Sequence, residues 1–185
     1  MEDVLGINNQ SAGSYLKHSH KNNCWQINGE SVSDIVYLLV DPTTIKTGWG
    51  CYDGEYDYVW DEKPSVRVPQ PSPDYKRAFS VRLYSKEYGN LLWQGYTWGE
   101  AQGFNNMCRL FWDEISSQNG NVAMIKYTGT EEKQFKVGSS SVPLFEFSKW
   151  VPKPSEFTQD AQQEILPNED NTSDLIGDDS DPLPF

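Results

Sequence analysis

At Thr97 the hydrophobic period of this chain changes from that of a strand to that of a helix, and that change limits what it can fold into. Before it, Ala78-Phe79-Ser80-Val81-Arg82-Leu83-Tyr84 puts Phe79, Val81 and Leu83 on one face of a strand and Ser80, Arg82 and Tyr84 on the other. Leu91 to Trp98 continues as a strand hairpinned to it through Gly89-Asn90. After it, Ala101, Phe104, Cys108, Phe111 and Ile115 recur at three- and four-residue steps, the spacing of one helix face, with Thr97 and Glu100 placed as the two ends of a capping box and Asn119-Gly120 as the stop. Val122 to Tyr127 then reads as a strand, Thr128-Gly129-Thr130 as a turn, Lys133 to Val137 as the return and Val142 to Lys149 as a last strand.

Upstream, Ile35 to Val40 is the first clear strand, stopped by Asp41-Pro42, and residues 1–30 read as a loosely ordered arm. Strands before a single helix and strands after it predict a mainly β chain with the element order of an OB fold. That is a five-stranded Greek-key barrel with one α-helix between strands 3 and 4. The expected organisation is one domain over residues 1–154 and a disordered acidic tail over 155–185.

The formal charge of −12 argues against a nucleic-acid ligand until its location is considered. Residues 151–185 hold nine acids and a single base, Lys153. The rest of the chain is close to neutral and free to carry a local basic groove.

Trp49, Tyr52, Tyr56, Tyr58 and Trp60 place five large rings in twelve residues, with Gly50 and Gly54 letting the backbone bend around a ligand. A Pro-rich segment, Pro64 to Pro73, follows, and both stretches read as ligand-facing loops. Unpaired bases expose π-faces, and stacking them on aromatic side chains is sequence-tolerant. Lys63, Arg67, Lys76, Arg77 and Arg82 fall within one twenty-residue window beside this aromatic set and would neutralise phosphates. Tyr84, Trp93, Tyr96 and Lys126, on the predicted strands, complete the candidate single-strand surface.

Candidates for catalysis are few. His18, His20 and Cys24 lack a fourth ligand at metal-site spacing, and no phosphate-binding Gly-Lys-Ser pattern or nucleophile elbow occurs. Neither a metal nor a cofactor is expected. Asp53, Glu55, Asp57, Asp61 and Glu62 come nearest to a metal-dependent nuclease. Three widely spaced cysteines and no basic-then-apolar start point to a reducing cytoplasm, and no apolar run reaches the ~20 residues of a membrane span.

The tail ends in Asp178-Asp179-Ser180-Asp181-Pro182-Leu183-Pro184-Phe185, an apolar tip behind three aspartates. A terminal ring with its carboxylate suits a small apolar pocket rimmed by Arg or Lys. This terminus resembles the tip of bacterial single-stranded DNA-binding proteins, a run of Asp followed by an apolar residue, Pro and a final Phe, although Pro182 and Leu183 stand where that family has one aliphatic residue. The ending Phe145 to Pro154 and the Trp- and Pro-rich loops are similar to phage-encoded members.

The resemblance implies a non-catalytic protein that coats single strands in replication, recombination and repair. Asp178, Asp179, Asp181, Pro182, Leu183, Pro184 and Phe185 would recruit a polymerase, helicase or nuclease. A homo-oligomer is compatible with this reading. Two others compete with it: an acidic DNA mimic that occupies a host enzyme, and the metal-dependent nuclease.

Overall fold

The computed structural model describes residues 13–64 and 66–157. The tail tip, Asp178 to Phe185, lies outside them. Among the described residues the chain is mainly β, with ten strands in one mixed sheet and one α-helix. In chain order they are β1 (Ser14–Ser19), β2 (Cys24–Ile27), β3 (Glu30–Val32), β4 (Tyr37–Val40), β5 (Lys46–Tyr52), β6 (Tyr56–Trp60), β7 (Lys76–Ser85), β8 (Gly89–Gly95), α1 (Trp98–Arg109), β9 (Asn121–Gln134) and β10 (Ser139–Pro152).

The main path runs β10-β9-β4-β7-β8-β1-β2-β3, and β5 branches from it to pair with β7 and β6. All pairings are antiparallel except β1 with β8. The ladder is not closed by hydrogen bonds, but it curls until Trp25 of β2 meets Tyr127 of β9 at 5.6 Å and Phe145 of β10 at 6.2 Å across the interior.

Alternation decides which face is core. Phe79, Val81, Leu83, Leu91 and Trp93 are each 0% exposed and point to the side covered by α1. There Phe104 stacks on Phe79 with centroids 4.3 Å apart. The helix comes this close to β10 through two glycines one turn apart. A Cβ on Gly99 would lie 2.3 Å from the Ser141 carbonyl oxygen, and one on Gly103 would lie 2.4 Å from Pro143 Cγ.

Several local expectations are corrected. Of the expected loose arm over residues 1–30, residues 1–12 lie outside the described residues, and the part from Ser14 onward forms β1, β2 and the start of β3. β1 is buried on both faces, with Tyr15 and Leu16 inside, so it lacks the polar-apolar alternation that would announce it. The helix ends at Arg109, ten residues before Asn119-Gly120, because the chain tightens into 3₁₀ turns that swing Phe111 into the core. Thr128-Gly129-Thr130 lies within β9 as a bulge opposite Leu144/Phe145, with Gly129 at φ +126°, and the reversal occurs at Phe135 to Gly138. Trp49 to Trp60 is the β5-β6 hairpin, turned at Asp53-Gly54-Glu55.

His18 sits beneath this sheet at 3% exposure, edge-on to Trp25 at 4.9 Å, with neither ring nitrogen hydrogen-bonded. Burial, and then the neighbouring His20, push its pKa down to about 4. The unfolded chain therefore binds a proton that the fold refuses, and stability falls as pH drops from 6.5 towards 4. The loss assigned to His18 is on the order of 3 kcal/mol. Urea unfolding at pH 7 and pH 4.5 is expected to show this slope in the wild type and a flatter one in His18→Leu; equal slopes would remove the assignment.

Candidate nucleic-acid interface

The register places most of the expected ligand-facing residues on the sheet face opposite the core. Gly48, Gly50 and Tyr52 of β5 stand opposite Trp60, Tyr58 and Tyr56 of β6, and Gly50 also stands opposite Lys76 of β7. Two-residue steps along β7 add Arg82 and Tyr84 to the same face. The β8 register adds Gln94 and hence Tyr96, and the β9 register adds Lys126 opposite Tyr37.

The glycines explain how the rings lie. A Cβ on Gly48 would sit 2.3 Å from the Val59 carbonyl oxygen and 2.8 Å from Trp60 Cα, and one on Gly50 would sit 2.8 Å from the Tyr58 ring. Their missing side chains let Tyr58 and Trp60 lie across β5, stacked with centroids 5.1 Å apart and planes 3° apart. Gly50 thus makes room for a ring rather than bending around a ligand. From Tyr58 the aromatic surface continues to Tyr96 at 6.3 Å, to Tyr56 at 6.3 Å and to Tyr52 at 4.8 Å. Burial, followed by the neighbouring Tyr56, pushes the Tyr96 hydroxyl up to about 12, so it is a neutral hydrogen-bonding group at physiological pH.

Two residues not anticipated for this face belong to β1. Tyr15, whose hydroxyl donates to the Gln94 carbonyl at 2.6 Å, and Lys17 line a small hollow with Tyr56, Tyr58 and Tyr96. Their i, i+2 spacing was the available signal, masked by the burial of β1 on both sides. At the base of that hollow Glu100 accepts from His18 N at 3.0 Å, Trp93 Nε1 at 3.2 Å and Thr97 Oγ1 at 3.0 Å. The expected capping-box partner is a buried bracket between β1, β8 and α1.

Three expected ligand residues are structural. Trp93 is fully buried against Trp25, Phe79 and Phe104. Trp49 donates its Nε1 to the Val68 carbonyl at 2.9 Å and lies under the Arg77 guanidinium at 4.9 Å. Arg77 pairs with Asp61 at 2.7 Å, the Asp61 side chain being 0% exposed. Burial alone raises the Asp61 pKa, but hydrogen bonds from Arg77, Thr47 and Val68 N outweigh it and hold the carboxyl below its ordinary value. This cluster pins the Pro-rich loop to the β5-β6 hairpin.

Lys63 and Arg67 are exposed on that loop. Tyr84 is covered by Phe157, which is 2% exposed and lies 5.8 Å away ring to ring. Lys153 holds this strap by pairing with Asp41 at 2.6 Å and by lying 5.0 Å over the Phe157 ring.

Among the described residues no group of three His, Cys, Asp or Glu is placed to hold a metal ion, and no helix is long and apolar enough to cross a membrane. Of the carboxylates weighed for a nuclease, Asp61 is in its ion pair, Asp57 accepts from the Tyr75 hydroxyl, and Asp53 and Glu55 are exposed at the hairpin tip. What the sheet defines is a protein with one aromatic, partly basic face opposite its core. No family model, curated protein or solved structure matches the chain.

Proposed function

We propose that this is a non-catalytic single-stranded DNA-binding protein of the phage or bacterial type, built on an elaborated OB fold. It would coat single strands during replication, recombination and repair and recruit replication proteins through the tip at Phe185. The observation that carries the reading is the unbroken row of rings from Trp60 through Tyr58, Tyr96 and Tyr56 to Tyr52, with Lys17, Lys76, Arg82 and Lys126 on the same sheet face. Rings give sequence-tolerant stacking, and cations on the same surface engage phosphates.

The topology supports the fold assignment. The order β9-β4-β7-β8 is the 4-1-2-3 arrangement of a Greek key, with β10 beside β9 and α1 between β8 and β9 in the chain. In this numbering β7 and β8 are strands two and three, and the β5-β6 hairpin lies in the first long connection. These are the strands and one of the loops through which OB folds take oligonucleotides. In place of a closing ladder with β10, the edge of β8 takes β1 in parallel.

The test is a titration with oligo-dT followed by tryptophan fluorescence at two salt concentrations. Quenching is expected, with affinity falling as salt rises by a log-log slope of ~0.7 per phosphate engaged. Fluorescence unmoved by excess oligo-dT at low salt would overturn the reading. The acidic-mimic reading draws support from the exposed carboxylates Asp53, Glu55 and Asp74, and it would be favoured by that same silence.

A further inference from the structure

Beyond the ring row, the far side of Tyr56 and Tyr96 opens into a cleft of about 850 Å³ between the β5-β6 hairpin tip and residues 72–75. Its chemistry is opposite in sign to a phosphate site. Tyr52, Tyr56, Tyr75 and Tyr96 line it as an aromatic cage. Asp53, Glu55, Asp57 and Asp74 are all exposed at its walls, and Lys76 is the one cation among the lining residues. Asp57 accepts from the Tyr75 hydroxyl, which ties the loop to the hairpin and holds two walls of the cage together.

Ring faces carry negative quadrupole potential, and a cation held among several of them with carboxylates at the rim is attracted by both. A polyanion gains from neither. We propose that this cleft is a docking site for an arginine- or lysine-bearing segment of a partner protein, whose cationic side chain enters the tyrosine cage while Asp53, Glu55 and Asp74 meet the flanking charges. The site shares Tyr52, Tyr56 and Tyr96 with the ring row, so a partner seated there would lie at the end of any strand stacked on Trp60 and Tyr58. The proposal goes beyond the DNA reading and does not depend on it.

The test uses the full chain labelled with ¹⁵N and an acetylated, amidated Arg-Gly-Arg-Gly-Arg peptide. Saturable amide shifts are expected at Tyr52, Tyr56, Tyr75 and Tyr96. Because Asp53, Glu55 and Asp74 are exposed, Asp53→Asn/Glu55→Gln/Asp74→Asn is expected to fold normally and to bind the peptide about tenfold more weakly at these positions. The acidic residues after Phe157 also attract the peptide, and the readout separates the two: shifts confined to residues 158–185, or cleft shifts of equal affinity in the triple variant, would overturn the proposal. Oligo-dT is titrated in parallel. If it moves the cleft amides and the peptide does not, the cleft belongs to the nucleic acid and the proposal fails. Absence of tryptophan quenching by oligo-dT would instead count against the DNA reading alone.

Discussion

Replacing Tyr58 and Trp60 together by leucine is expected to weaken oligo-dT binding by about 2–4 kcal/mol while leaving the salt slope unchanged. Each stacked ring contributes about 1–3 kcal/mol, and the two are in contact at 5.1 Å, so their losses overlap rather than add. Leucine keeps apolar cover over Gly48 and Gly50, which have no side chains of their own to shield β5. The complementary change, Arg82→Ala, is expected to lower the slope by about 0.7 with a smaller change in affinity at low salt. Fluorescence anisotropy with labelled oligo-dT measures both quantities. An affinity for the leucine pair within about twofold of wild type would remove the ring row from the interface.

The second large effect concerns the support of that row. Asp61→Ala leaves Arg77 with its charge uncompensated, 12% exposed and wedged over Trp49, and deprives Thr47 and the Val68 amide of their acceptor. Removing one partner of a buried pair costs about 3–5 kcal/mol, most of it from the stranded charge. Urea denaturation is the measurement, with Asp61→Ala/Arg77→Met as the control. The double variant is expected to regain much of the loss because the stranded charge has gone. If Asp61→Ala unfolds within about 0.5 kcal/mol of wild type, the cluster does not anchor the Pro-rich loop. Since Trp60 immediately precedes Asp61, the single variant is also expected to blunt the fluorescence response to oligo-dT.

The division of β7 into a core face and a ligand face was legible from Phe79, Val81 and Leu83 against Arg82 and Tyr84, because an edge-to-edge alternation survives whenever one side of a strand is buried by a helix. The helix was legible for the same reason, although its end was not. Phe111 and Ile115 continue the helical spacing even where the backbone has turned to 3₁₀, so spacing alone could not locate Arg109 as the last α residue. β1 was hidden because it is sandwiched, and β9 looked broken because Gly129 signals a bulge and a turn equally well.

The ring-rich stretch shows where reading along the chain stops. Composition identified Trp49, Tyr52, Tyr56, Tyr58 and Trp60 as one group, yet their roles depend on cross-strand register. Tyr52, Tyr56, Tyr58 and Trp60 share a face, whereas Trp49 points to the other side and is held by Arg77 and Val68. Arg77 likewise belongs to the basic cluster by position but to Asp61 by geometry.

By itself the sequence determined the β-rich class, the single helix, the two faces of β7 and the segregation of acid to the chain's end, because these depend on residue type and short-range period. Only the tertiary structure decided which rings form a continuous surface, which cations are absorbed by buried acids, and that Lys17 and the buried Tyr15 line a hollow in that surface from β1. These depend on pairings between residues far apart in the chain, such as Tyr15 with Gln94, 79 positions away, and Asp41 with Lys153, 112 positions away. Such pairings arise from the whole core closing at once, and no local pattern encodes them.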